Sequence, residues 1–351
     1  MVKEVTTREE LSQSWKTFSE NECRGYSPLY ERITKAVSEN PDVLDFLLSS
    51  PLDKLHPNLL LAAVHDRVLQ GLEPELFDIY YNNLSADVGA NFVECVLRSQ
   101  DEIAPILATR FVQTNEIGRV SFLAPALASL QLDHDVTLID VGTSAGLTLA
   151  RDLCFVDYGD SRTYGPVDST VRIDCSLLHG VPPLSRAPIA RQIGFDRNPI
   201  DTRNVDDYRW MQACVWPDTG RTERTNAALE LARTLDTQFV SGDAISDLPA
   251  LLESIDGPLV ITTSWALVYL PADQWSVFGE ILAKASQRRP VSWISAEAHG
   301  VVAVLPPVPL PEVEGPPGTV LGAVEYRNGA QTDARVLAHV HSHGKWMWWY
   351  E

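Results

Sequence analysis

The chain has 351 residues, 45 % of them hydrophobic and 21 % charged, which suits one large or two ordinary globular domains and excludes a disordered chain. Its formal charge of −19 repels phosphate backbones and anionic lipid, so no nucleic-acid and no membrane partner is expected. Five scattered cysteines without a CxxC pair (Cys23, Cys95, Cys154, Cys175, Cys214) read as reduced thiols of a cytoplasmic protein and hold no metal spacing.

Residues 1–130 read as an all-helical cap region. The start, MVKEVTTREELSQSW, is too polar for a secretory signal, and TTREEL offers a capping box from Thr7 to Glu10. Ser27-Pro28 and Asn40-Pro41 each pair an N-cap with a proline at the first helical position. HPNLLLAAVHDRVLQG opens at His56-Pro57 and stops at Gly71, and ANFVECVLRSQDEIAPIL continues in the same style. No apolar run approaches the roughly 20 residues that span a bilayer.

VTLIDV (136–141) is the first strand and opens a second region over 131–351. IARQIGFD, TQFVSGD, PLVITTSW and PVSWISAE are further short apolar runs, and helical stretches such as DDYRWMQACVW and PADQWSVFGEILAKAS separate most of them. That alternation predicts α/β architecture: a doubly wound, mostly parallel sheet. VLGAVEYRNGA, ARVLAHVHSH and KWMWWYE predict antiparallel strands at its C-terminal edge. LPPVPLPEVEGPPG is an extended loop, and about 156–188 is an insertion holding a small hairpin.

The stretch DVGTSAG follows strand 136–141 and predicts strand, glycine turn, helix. With GFD and VSGDA at the ends of the next two strands, it resembles the first motif of class I S-adenosylmethionine-dependent methyltransferases, although Ser144 replaces the usual middle glycine. The resemblance implies S-adenosylmethionine held by Asp140, Gly142, Thr143, Ser144 and Gly146, by Asp196 on the ribose, and by Gly242, Asp243 and Ala244 near the adenine. It implies a small-molecule methyl acceptor facing Ser264 and Trp265. The glycines let backbone approach a ligand closely, and the carboxyl end of strand one is where such folds bind ligands. GTSAG also matches a nucleophile elbow, which would make Ser144 the nucleophile of a serine hydrolase with His299 or His343 as its base. No HGGG-type oxyanion stretch precedes it. A non-catalytic member of the fold, binding a metabolite or a protein, is the third reading.

HPNLLLAAVH, QTNEIGR, VGTSAGL, GFDRNPID, WPD and HGKW make nearly the whole chain similar to a bacterial family known as domain of unknown function 2332. That likeness implies no particular reaction. In QTNEIGR, the polar side chains of Gln113, Asn115, Glu116 and Arg119 exceed what a helix cap needs, so Gln113, Asn115 and Arg119 are candidate substrate contacts. His56, His65, Glu116 and His343 are candidate general bases. His339, His341 and His343 share a period of two and would share one strand face.

Overall fold

The computed structural model describes residues 7–82, 86–113, 115–313 and 318–350; Thr114 and residues 314–317 of the proline-rich loop lie outside them. The chain forms two compact units, one from Met1–Thr114 with Arg203–Asn226, the other from Asn115–Thr202 with Ala227–Glu351.

In the first unit, the capping signals sit where the sequence puts them. Thr7 accepts from the Glu10 amide, Ser27 from Tyr30 and Asn40 from Val43, and helices Arg8–Phe18, Pro28–Glu39 and Pro41–Leu48 follow. His56 accepts from the Asn58 amide ahead of helix Pro57–Leu69, and Gly71 ends it at a φ of 76°. Helix Val205–Ala213 belongs here too. Trp210 and Ala213 join the core of Trp15, Tyr30, Phe92 and Leu61, and Trp210 Nε1 donates to the Phe111 carbonyl at 2.9 Å. An amphipathic helix read from sequence has an apolar face but no address, and this one packs with the N-terminal helices.

Among the described residues the second unit carries β1 (Val136–Val141), β2 (Phe155–Asp157), β3 (Thr163–Tyr164), β4 (Arg172–Asp174), β5 (Ser176–His179), β6 (Ile189–Asp196), β7 (Gln238–Ser241), β8 (Leu259–Ser264), β9 (Val291–Ala298), β10 (Thr319–Arg327), β11 (Ala330–Val340) and β12 (Trp346–Trp349). Nine of these strands form one sheet in the order β5-β12-β11-β10-β9-β8-β1-β6-β7. Strands β7, β6, β1, β8 and β9 run parallel, then β10, β11 and β12 alternate in direction. The protein is therefore mixed α/β with a large, mostly parallel sheet. Ile139, Val141, Ile193, Phe195, Ile261 and Trp293 alternate onto one face, where Leu248 and Leu252 of helix Leu248–Ser254 and Phe278 and Leu282 of helix Trp275–Ala285 cover them. No helix of the described residues is long and apolar enough to cross a membrane.

Three expectations are corrected. The turn after β1 leads into a 3-10 segment, Leu147–Leu153, not an α-helix, because the chain must be extended again at Phe155 to enter β2. The insertion is more than a hairpin. β2 pairs antiparallel with β3 and parallel with β4, while β5 joins the main sheet beside β12 and forms its edge. Of the three alternating histidines only His339 lies in a strand. His341 and His343 sit in the turn before β12, where the His343 amide donates to His341 Nδ1 at 3.0 Å and Gly344 takes a φ of 73°.

His65 is buried between Ala213 and Tyr81, its Nδ1 3.0 Å from the Ala213 carbonyl and its Nε2 2.6 Å from the Tyr81 hydroxyl. The neutral tautomer with the proton on Nδ1 satisfies both. Burial pushes its pKa down to about 4. The unfolded chain then binds the extra proton first, so His65 contributes stability above about pH 6.5 that is lost as pH falls towards about 4, up to about 3 kcal/mol. Urea unfolding of the wild type and of His65→Leu across that window is expected to show a weaker pH dependence in the variant. Equal slopes would place the acid sensitivity elsewhere.

Candidate functional site

The chain leaves β1 for β6 and β7 on one side, then returns to β8 and β9 on the other, so the strand order reverses at β1 and β8. The loops at such a reversal diverge above the carboxyl ends of the strands and leave a crevice between them. The DVGTSAG turn, Asp196, Asp243, Ser264 and Glu297 all stand at the carboxyl ends of these five strands.

Asp140 is buried in the central strand. Its Oδ1 accepts from the Thr262 hydroxyl of β8 at 2.6 Å, and its Oδ2 from the Thr148 hydroxyl beyond the turn at 2.9 Å. Burial pushes its pKa up, and the hydroxyls hold it back. Both oxygens serve the protein and the residue is 4 % exposed, so this arrangement gives no support to the expected role of receiving a ligand amino group. The turn amides are likewise engaged. Those of Gly142 and Thr143 donate to the Phe195 carbonyl, that of Ser144 to Asp196 Oδ2 at 2.8 Å, and that of Gly146 to the Thr143 carbonyl. The glycines are required by packing. A Cβ on Gly142 would stand 2.5 Å from that of Ala266, and one on Gly146 would stand 2.9 Å from the Phe239 ring.

Asp196 is half-buried, and its Oδ1 also accepts from the Asn198 amide at 2.8 Å. Asp243 caps its own loop by accepting from the Ile245 and Ser246 amides and pairs with Arg197 at 2.6 Å. Those backbone bonds and the Arg197 guanidinium hold its carboxyl below the usual range. Gly242 and Ala244 flank it, with the Gly242 amide on the Asp196 carbonyl.

On the other side of β1, Asn115 Nδ2 donates to the Thr143 carbonyl at 2.6 Å, and Arg119 donates to the carbonyls of Ser264 at 2.8 Å and Ser342 at 3.2 Å. Glu116 caps the short turn Ile117–Arg119 through the Gly118 amide. The segment Asn115–Arg119 thus ties the ends of β1 and β8 to the turn holding His343. Gln113 and the exposed His56 belong with buried His65 to the first unit. Ser144 is 5 % exposed and Trp265 half-buried. Both take left-handed backbone angles, with φ of 51° and 53°, which for non-glycine residues stores strain. A nucleophile elbow presents its serine to the substrate; burial of Ser144 does not favour that chemistry.

The residue that sequence reading missed is Glu297, at the end of β9. It is 1 % exposed, and its Oε1 accepts from the Ala266 and Leu267 amides at 3.0 and 3.2 Å. Burial raises its pKa to about 7, against the pull of those amides and of Arg119. Nothing but a single acid closing an apolar strand, ISAEA, signalled it. Arg119 is buried as well, its pKa lowered by burial and supported by Glu116, Glu297, Tyr269 and Asp140.

Residues 12–349 match the bacterial family described as "Uncharacterized protein conserved in bacteria (DUF2332)". The chain belongs to that family. No curated protein matches it. In this family member a self-satisfied glycine turn stands at the end of β1, and buried Glu297 and Arg119 stand by the ends of β9 and β8.

The packing argument has a direct test. Gly142→Ala meets both a left-handed φ of 81° and the Ala266 methyl, whereas Gly257→Ala meets a φ of 82° and open space. Gly142→Ala is expected to lower stability by about 1–3 kcal/mol more than Gly257→Ala in urea unfolding. Equal losses would mean that the turn relaxes away from Ala266.

Proposed function

We propose that the sheet unit is a class I methyltransferase-type domain, doubly wound, that binds S-adenosylmethionine and acts on a small molecule. One observation carries the reading. The DVGTSAG turn, Asp196 and Asp243 fall at the carboxyl ends of β1, β6 and β7, three neighbouring strands, and the Asp196 carboxylate lies 2.8 Å from the Ser144 amide. The strand order from β7 to β9 follows the doubly wound pattern of three, two, one, four, five.

The residues suit the nucleoside half of the cofactor. Half-buried Asp196 has the chemistry to accept from sugar hydroxyls, and the part-exposed Phe239 ring beside Gly146 and Gly194 offers a face for a base. Asp243 closes the same edge. The amides of Gly142, Thr143, Ser144 and Gly146 are consumed within the protein, so side chains would carry the remaining recognition. Ser264 Oγ is buried without a partner among the described residues and stands at the end of β8. Unpaired buried hydroxyls are costly, and a bound polar molecule is one thing that satisfies them. When bound, S-adenosylmethionine supplies a transferable methyl group. The chain's own contribution would be to hold and orient the acceptor between Asn115, Arg119, Ser264 and Trp265 and to exclude water.

The transferase reading is preferred to the hydrolase reading because Ser144 is buried. It is preferred to a purely binding role because an ionisable carboxyl, Glu297, stands at the same strand ends. Titration calorimetry with S-adenosylhomocysteine is expected to give measurable binding, and Asp196→Asn to weaken it by about 10-fold or more. No heat with S-adenosylmethionine or S-adenosylhomocysteine at millimolar ligand would overturn the proposal.

A further inference from the structure

We propose that Glu297 is a proton-exchanging residue of these strand ends, taking up the proton of an O–H or N–H group on a bound acceptor and later releasing it to solvent. The inference rests on the crevice assigned under Proposed function, but its chemistry belongs to the chain alone. In the step, a lone pair on Oε2 takes the proton, and the acceptor atom keeps the electron pair of the broken O–H or N–H bond.

Three observations lead there. First, the carboxyl is oriented: Oε1 is anchored by the Ala266 and Leu267 amides, which leaves Oε2 as the working oxygen. Oε2 is buried with no hydrogen-bond partner among the described residues. The Thr263 hydroxyl, which accepts from Trp293 Nε1, lies beside the carboxyl and helps lower its pKa without meeting hydrogen-bond geometry to Oε2. Second, Oε2 is not alone. Ser295 lies two residues back on the same face of β9, opposite Thr263 of β8, and its Oγ is also buried without a partner among the described residues. The remainder of that face is Ile261, Trp293, Phe278 and Leu267, an apolar setting in which an unpaired carboxyl oxygen is expensive. Third, the anchored segment begins at strained Trp265, whose amide and indole are themselves fixed, by the Ala296 carbonyl and the Thr319 hydroxyl.

Anchoring two amides does not require an ionisable group, since a glutamine oxygen accepts both. What glutamate adds is a proton. The charged group facing it is Arg119, and Glu116, Tyr269 and Asp140 face Arg119 in turn. Burial raises and Arg119 lowers its affinity for that proton, and the balance leaves both forms populated near neutrality.

Dicyclohexylcarbodiimide tests the idea on the native full-length protein. A protonated carboxyl adds across its C=N bond and rearranges to a stable N-acylurea that peptide mass spectrometry locates. Glu297 is expected to be labelled at about pH 6 and roughly tenfold less or more weakly still at about pH 8.5, as a group titrating near neutrality requires. Glu297→Gln should lose the label at this peptide and keep it at the surface carboxyls. A sealed structural carboxyl would stay unlabelled while surface carboxyls react, and that result, or labelling independent of pH, overturns the proposal. Labelling without any heat from S-adenosylhomocysteine retires the transferase reading and keeps the proton site. Heat without labelling retires the proton site alone.

Discussion

The carboxyl end of the sheet is organised by one buried carboxyl group. Asp140 sits in β1, the middle of the five parallel strands, where a buried carboxyl group is tolerated only if its oxygens are satisfied. Thr262 satisfies one from the neighbouring strand β8, and Thr148 satisfies the other from the segment beyond the glycine turn. These two hydroxyls do more than neutralise a cost. They bind the end of β1 to the end of β8 and draw the 3-10 segment Leu147–Leu153 back over the sheet. The positions of the turn, of Ser264 and of the Arg119 guanidinium on the Ser264 carbonyl all follow from that junction.

The glycine turn shows how one backbone shape can answer to two causes. Positive φ at Gly142 and Gly146 has the look of a ligand cradle, and the sequence motif invites that reading. In the folded chain the same glycines make room for Ala266 and Phe239, and the Phe195 carbonyl and the Asp196 carboxylate use the turn's amides. Recognition at this end therefore falls to side chains at strand ends. Left-handed Ser144 and left-handed Trp265 mark the carboxyl ends of the adjacent strands β1 and β8, and strain persists where surrounding contacts over-determine it. Both residues have those contacts: Ser144 through Asp196 and the Ile200 amide, Trp265 through Ala296 and Thr319.

The elements were largely legible because each carries a local signature. The capping residues Thr7, Ser27, Asn40 and His56 begin helices as their side-chain chemistry dictates, and the run IARQIGFD is β6 from first residue to last. What failed to show were relations between distant residues. Helix Val205–Ala213 gave its period but not the Trp15–Phe92 core it joins. The segment after DVGTSAG has helical composition, yet its length is set by the start of β2. The pairing of β5 with β12 joins residues some 170 positions apart, which no local pattern encodes. The site was legible in part. Asn115, Arg119, Asp196 and Ser264 stood out as polar residues and do gather at the strand ends. Glu297 did not, because burial and an unpaired oxygen are properties of a place in the fold rather than of the letters SAEA.

Charge ties the two sides of the crevice together. In a chain with a formal charge of −19, the carboxylates of Asp196 and Asp243 add to a field that favours cationic ligands, and a sulfonium cofactor is one. An acceptor about to lose a proton needs the opposite: a nearby positive charge to steady the developing anion. Buried Arg119, fixed on two backbone carbonyls and facing Glu297, is placed to supply it. Because its donors are partly committed to those carbonyls, it acts chiefly as a fixed field. That field also joins the Ala266 and Leu267 amides in lowering the proton affinity that burial gives the Glu297 carboxyl, so on the proposed reading one buried guanidinium would serve both the base and the group it deprotonates. On the proposed reading, the separation of the acidic edge at β6 and β7 from Arg119 and Glu297 beside β8 and β9 would let one sheet end hold a cation and handle a proton without either charge cancelling the other.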